Sequence, residues 1–581
     1  MTKHRSLSLI CLCLLAVQLW GAEPPNAAAT GSPDPSAAAA PAASPALGAS
    51  ASTNADDLKQ LRERIAKQEE EIKRLQQSVE EQRALLEKAV QSLPAAGTAN
   101  TVNVANTSGG PVALVPAVNV GYPRQHETTE PKPSPLSISI GNTTFTPLGF
   151  VDATFFARST NVGSGIGTNF GGIPFNTSAT DHISEANFST QNSRIGFRVD
   201  STVLGGKVLG YFEADFLGQP APSVFISSNS DTFRMRNIFV DWQKDGFEIL
   251  GGQDWSFMTP NRKGLSPVPS DIFFTQDMDT NYQAGLVWSR QTQFRFIAHP
   301  TENFAFGVSL ENPQQYGGGG NGSTAITVPT PYAALTTNSS QVNVGTSVTS
   351  SPSLFGGVSV PNVAPDIIFK AAYDGHPGDK LFHVEAAGLV RNFKIVTGNG
   401  SSATPFTSAN ATAFSGEFNT NLEIVKNFRL IENLFWGEGN GRYIFGQAPD
   451  FIITANGGIS PIHSGSTVDG FEATIKKNSL LYAYYGGIFI NRDVTYLGTT
   501  TAGRTTFSPF GYGYSGSSQN RAIQEGTIGL VQTFWKNPSY GALSLITQYS
   551  YLTRNPWSVA IGAPKAAHTN MVWIDLRYTL P

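Results

Sequence analysis

Residues 192–216 read Asn-Ser-Arg-Ile-Gly-Phe-Arg-Val-Asp-Ser-Thr-Val-Leu-Gly-Gly-Lys-Val-Leu-Gly-Tyr-Phe-Glu-Ala-Asp-Phe, and this stretch decides the fold. Ile195, Phe197 and Val199 alternate with Arg194, Arg198 and Asp200; Gly205-Gly206 is the expected turn. Val208, Phe212, Ala214 and Phe216 then alternate with Lys207, Tyr211, Glu213 and Asp215. A second hairpin follows, with Ile238, Val240 and Trp242, a Lys244-Asp245-Gly246 turn, and Phe247, Ile249, Gly251 and Trp255. A period of two between tight glycine turns is the hairpin signature. One face is apolar and the other charged. A soluble sandwich buries such an apolar face against a second sheet, whereas a membrane barrel turns it to lipid and keeps the charges in a wet lumen.

The pattern extends to the end of the chain. Strands are expected at 143–158, in the two hairpins, at 283–298, 304–311, 367–373, 381–393, 414–424, 430–439, 468–475, 480–490, 522–535, 543–552 and 569–580. That makes an all-β, antiparallel transmembrane barrel of about sixteen strands, with short turns at one end and long loops at the other. Long structureless loops argue against a compact soluble domain. Phe155, Phe156, Trp242, Trp255, Trp288, Trp436, Trp535 and Trp573 fall near expected strand ends, where interfacial girdles of aromatic residues would place them.

Ahead of the barrel, residues 1–22 read as a secretory signal, with Lys3, His4 and Arg5 before an apolar core from Leu7 to Leu19. Both cysteines, Cys11 and Cys13, lie inside it, so the mature chain is expected to hold neither disulfides nor thiolate chemistry. Residues 23–55 are an Ala/Pro/Ser spacer. Residues 56–93 carry a heptad repeat: Leu58, Ile65, Ile72, Val79, Leu86 and Leu93 at a, and Leu61, Gln68, Leu75, Gln82 and Ala89 at d, which predicts a self-associating coiled coil. Residues 94–135 form a linker, and 136–581 the barrel.

Bulk properties narrow the function. The net charge is −4 and only 14% of the 581 residues are charged, so no global field favours nucleic acid. Mean hydropathy is −0.14 and no long apolar run follows the signal, which excludes a helical polytopic protein but not a barrel. The eight histidines are scattered without metal-ligand spacing. No Ser/His/acid arrangement suggests a barrel lipase, and no cofactor is expected.

Several pieces together resemble the Gram-negative porins, and most closely the DcaP-like family: Gly149-Phe150-Val151-Asp152, Asn192 to Arg198, Gly210 to Phe216, Arg234-Met235-Arg236 and Gly252-Gln253-Asp254-Trp255, with the preceding coil as a further match. The motifs cover about residues 145–295. The resemblance implies a passive diffusion channel of the cell outer membrane, embedded in lipid and lipopolysaccharide, a homotrimeric sixteen-strand barrel and a periplasmic coiled coil. It also implies that the third outer loop, residues 256–282, folds inward as a constriction. In one respect the chain departs from such porins: its final residues are Arg577-Tyr578-Thr579-Leu580-Pro581 rather than an aromatic terminus.

A channel selects by its width and by the charges that line it. Arg194 and Arg198, with Lys207 and Arg295, are expected to form a basic ladder on the inner face. Strict alternation puts Arg234 and Arg236 on the side of Ile238 and Val240, so either a bulge near Asn237 flips the register and turns them inward, or they lie above the lipid band at the outer rim. The constriction loop offers Arg262 and Lys263 beside Asp271, Asp277 and Asp279. A basic wall facing an acidic loop would favour small organic anions such as dicarboxylates, since arginine grips carboxylate or phosphate bidentately. Three alternatives stay open: a phosphate- or sugar-preferring pore, an envelope tether or adhesin built on the coil and outer loops, and arginines that merely pair with Glu213, Asp215, Glu248 and Asp254 to stiffen the wall.

Overall fold

The computed structural model describes residues 134–581, apart from loop stretches 219–231, 273–275, 345–361, 500–504 and 512–518 and scattered residues between 321 and 340, together with Lys73. The expected signal and spacer, the expected coiled coil apart from Lys73, and nearly all of the expected linker lie outside the described residues.

Among the described residues one sheet holds eighteen strands. Two of them are short: Ile138–Ile140 and Glu185–Ser189 lie against the first long strand. The remaining sixteen form a closed antiparallel barrel. They are β1 Thr143–Arg158, β2 Arg194–Val203, β3 Gly206–Asp215, β4 Arg234–Lys244, β5 Phe247–Trp255, β6 Arg290–Thr301, β7 Phe304–Glu311 and β8 Asp366–Gly375. The series continues with β9 Phe382–Thr397, β10 Thr407–Val425, β11 Phe428–Glu438, β12 His463–Lys476, β13 Ser479–Ile490, β14 Asn520–Asn537, β15 Gly541–Pro556 and β16 Ala567–Thr579. Each pairs with its neighbour, and β16 returns to β1 through Phe150↔Thr579 and Arg158↔Met571. Beyond the last strand, Leu580 N donates to Gly149 O at 3.0 Å and Ser134 Oγ donates to Pro581 O at 2.9 Å. The expected strands are present, with the sixth corrected: it begins at Arg290, and 283–289 belong to the preceding loop.

Local chemistry explains the hairpins. The β2–β3 turn is Leu204-Gly205, one residue earlier than expected, and the β4–β5 turn is Asp245-Gly246; all four have positive φ. Two successive positive-φ residues give the twist that two-residue hairpins require.

The outer surface carries the apolar parity. Ile195, Met235, Ile238, Val240, Phe294, Phe296, Phe369, Phe414, Ile574 and Leu576 are all exposed. So broad an apolar band belongs against lipid rather than water. No helix among the described residues is long and apolar enough to cross a membrane. Of the expected girdle, Trp436 and Trp535 are exposed. Phe156, Trp255, Trp288 and Trp573 are not girdle residues: they are buried in the main hydrophobic cluster. Trp255 packs against Tyr282 and Trp288 at 6.0 and 5.9 Å, and Phe156 stacks on Trp573 at 5.3 Å. Strand ends inside a barrel with a folded-in loop bury aromatics as well as expose them, and a position along the sequence does not distinguish the two.

Candidate functional site: a charged wall and an inward loop

Two of the sequence motifs meet across the β1–β2 seam. Residues 190–193 interrupt β2 and its short extension, and Asp152 covers the break: its N–H donates to Ser193 Oγ at 3.0 Å, and its carboxylate accepts from Asn192 Nδ2 at 2.7 Å and from Arg577 at 3.1 Å. Gly149 has φ +143°, and a Cβ there would meet the Arg194 carbonyl at 2.2 Å, so only glycine fits this seam.

The bulge at β4 exists. The register steps from Glu213↔Asn237 to Ala214↔Met235, leaving Arg236 as the extra residue. Met235 and Ile238 stay exposed, while Arg236 and Asn237 are both buried. The Gly252-Gln253-Asp254 motif secures this geometry: Gln253 Nε2 donates to Arg236 O at 2.9 Å and Asn237 Nδ2 to Asp254 at 2.7 Å.

The result is an arginine cluster on β2–β6. Arg236 is 2% exposed and reaches Glu213 at 2.6 Å, Asp215 at 2.7 Å and the Tyr282 hydroxyl at 2.9 Å. Arg234 binds Asp215 at 2.7 Å and Arg194 approaches Glu213 at 3.5 Å. Arg290, which the sequence reading passed over, completes the group; its guanidinium lies 5.4 Å from the Trp255 ring, as does that of Arg236. Four guanidinium groups face two carboxylates here, a formal surplus of two positive charges. Arg295 is buried on the parity opposite Phe294 and Phe296, and it is spent on Asp254 at 3.3 Å and on Trp255 O at 2.9 Å. Arg198 is held bidentately by Asp200 at 2.7 and 2.6 Å. Lys207 is exposed next to the short β2–β3 turn, away from the cluster. Nearer the turn end, Asp241 and Glu248 are buried on β4 and β5, so the positive surplus belongs to the loop-side half of this wall.

The described residues of the loop 256–289 cross the lumen. Seven backbone N–H groups of the loop donate to side chains on seven different strands: Phe257 to Glu311, Asn261 to Glu385, Gly264 to Asp374, Gln276 to Tyr484, Met278 to Gln548, Ala284 to Glu525 and Val287 to Asn433, at 2.6–3.4 Å. Apolar side chains fill in beneath: Phe257, Met258, Leu265, Ile272, Met278, Leu286 and Val287 share one buried cluster with Ile368, Leu389, Ile431, Tyr482 and Tyr484 of the wall. The lumen is therefore asymmetric, with a charged wall on β2–β6, which the loop touches through Tyr282, and a wall from β7 to β15 that holds the seven backbone pins.

This changes the expected roles of the loop charges. Arg262 is an anchor, forked onto Glu472 of β12 at 3.0 and 2.7 Å. Lys263 is exposed. Burial pushes the Asp271 carboxyl up, opposed by the Ser266 hydroxyl and then by the Lys263 charge. Asp277 accepts from Gln548 Nε2 at 2.6 Å; burial and the adjacent Asp279 charge push it up to about 7. Asp279 accepts from Thr168 N at 3.0 Å and is likewise raised by burial, opposed by Arg158. These two acids thus pin the loop to β15 and to the first outer loop rather than facing the arginine cluster. Among the described residues no cluster of His, Cys, Asp or Glu could hold a metal ion.

No family model matches the chain, and no curated protein matches its sequence. Solved structures do match its shape. The outer membrane channel DcaP of Acinetobacter baumannii superposes with a TM-score of 0.51 at 16% identity, covering 76% of this chain and 98% of that one. Pseudomonas putida OprB (TM-score 0.42, 9% identity, 74% and 94% covered) and an anion-selective porin from Comamonas acidovorans (0.39, 12%, 75% and 99%) are more distant and add nothing to the assignment. With its closed sixteen-strand barrel and its apolar outer band, this chain has the fold of a DcaP-like porin.

Proposed function

We propose that this protein is a passive diffusion channel of the outer membrane, trimeric, with a preference for small organic anions such as dicarboxylates. The observation behind the anion preference is the surplus of guanidinium groups on β2–β6, set beside a loop that narrows the lumen from the opposite wall. A low-dielectric constriction lined by one sign of charge concentrates the opposite ion. The protein supplies a path and a field rather than a reaction. The similarity to the DcaP channel supports an outer-membrane location, and the apolar band supplies the surface that lipid would cover. The N-terminal heptads would carry the self-association of the subunits on the periplasmic side.

Reversal potentials across planar bilayers under a salt gradient test this reading. Anion preference is expected, with a native mass in detergent of three subunits. Cation preference, or no conductance from correctly folded protein, refutes it.

A further inference from the structure

We propose that Arg290 is the residue of the arginine cluster that receives the solute, binding a carboxylate with a guanidinium that hydrogen-bonds to no described residue. The inference rests on the channel reading above. Its neighbours are committed: Arg194, Arg234 and Arg236 each have a carboxylate partner on β3. The Arg290 side chain makes no hydrogen bond or ion pair within salt-bridge distance to a described residue, and its Nη1 is buried without an acceptor. Its guanidinium lies over the Trp255 ring at 5.4 Å, a surface that fixes the plane of a guanidinium without using its N–H groups, while Asp215 and Glu213 act on it through charge alone. A second orphan donor sits against the same ring: Trp288 Nε1 is buried without a partner, and Trp288 lies 5.9 Å from Trp255.

Buried donors are mostly satisfied in folded proteins, and two exceptions around one ring inside a lumen offer a place where an external group can complete the set. The sign is decided by the surroundings: every orphan atom of this pair is a donor, and Arg234 and Arg236 add positive charge beside them. The planar fork of a guanidinium matches the two oxygens of a carboxylate. Arg236, held by Glu213, Asp215 and Tyr282, is then a positioning residue, fixing Trp255 beneath the site.

The test uses the full chain, with succinate as the probe. Succinate added to chloride solution should interrupt single-channel current in a concentration-dependent way, and it should change the indole fluorescence of the protein in detergent, a readout independent of conductance. Arg290→Gln should weaken both apparent affinities at least tenfold, while anion preference in a chloride gradient falls but persists through Arg194 and Arg234. Arg290→Lys keeps the charge without the fork and should lie between; Lys477→Gln, on an exposed turn, should match the unmodified channel. Unchanged succinate affinity in a folded Arg290→Gln or Arg290→Lys protein overturns the assignment even if the channel prefers anions. Cation preference of the unmodified channel overturns the functional reading instead, and the fluorescence titration still decides the site.

Discussion

Replacing Arg236 by methionine tests whether the bulged strand is held by its charges. The change removes three bonds at once, to Glu213 at 2.6 Å, Asp215 at 2.7 Å and the Tyr282 hydroxyl at 2.9 Å. Asp215 keeps both bonds from Arg234 and the Leu217 N–H, so it remains satisfied. Glu213 is the group left short: among the described residues its remaining close partners are Arg194 at 3.5 Å and the Tyr211 hydroxyl at 3.2 Å, at zero exposure. Removing one partner of a buried pair generally costs about 3–5 kcal/mol, and because one acceptor stays paired the lower end applies, about 3 kcal/mol. Guanidinium-induced unfolding in detergent micelles measures it. Glu213→Gln alone relieves the stranded charge, so in that background Arg236→Met should cost at least about 1 kcal/mol less. A loss below about 1 kcal/mol, or the same loss in both backgrounds, refutes the idea that this cluster is a coupled network.

Three further outcomes are expected. Ile238→Lys places a charge on the outward parity beside the bulge and should lower barrel stability by about 2–4 kcal/mol if the site lies near mid-bilayer, measured by unfolding in lipid vesicles; a neutral result would move Ile238 out of the lipid band. Arg262→Gln removes the fork onto Glu472, and amide exchange at Asn261 and Gly264 should speed up together with noisier open-channel current; unchanged exchange would show that the backbone pins suffice. Asp277, raised from 3.8 to about 7 chiefly by burial, binds more protons folded than unfolded across that window. Its docking is therefore undiminished below pH 4 and weakens as pH rises through 7; Asp277→Asn should flatten that dependence in current noise recorded from pH 5 to pH 8.

The barrel was legible because its outward face must be apolar wherever it meets lipid, and that constraint writes a period of two into every strand. The inward face has no such rule. Arg194 and Arg198 could be placed from alternation, but Arg236 could be placed only conditionally, since one inserted residue reverses all positions on its side. Arg290 was missed for a related reason: the parity set by Phe294 and Phe296 assigns it to the lipid side, yet at the end of β6 its guanidinium lies over Trp255. The pairing of Arg262 with Glu472 joins residues 210 positions apart, and nothing local announces it.

The seven pins on the inward loop use its backbone N–H groups, and the wall supplies every acceptor side chain. A backbone donor is the same whichever of nineteen side chains stands beside it, proline alone lacking it. The wall thus dictates the path of the loop and leaves much of its identity free. On the proposed channel function, variation has an uneven licence. Side chains of the loop that face the open lumen can be exchanged to suit a new solute without redrawing the constriction, whereas losing Glu311, Glu385, Glu525 or Gln548 would let the whole aperture drift.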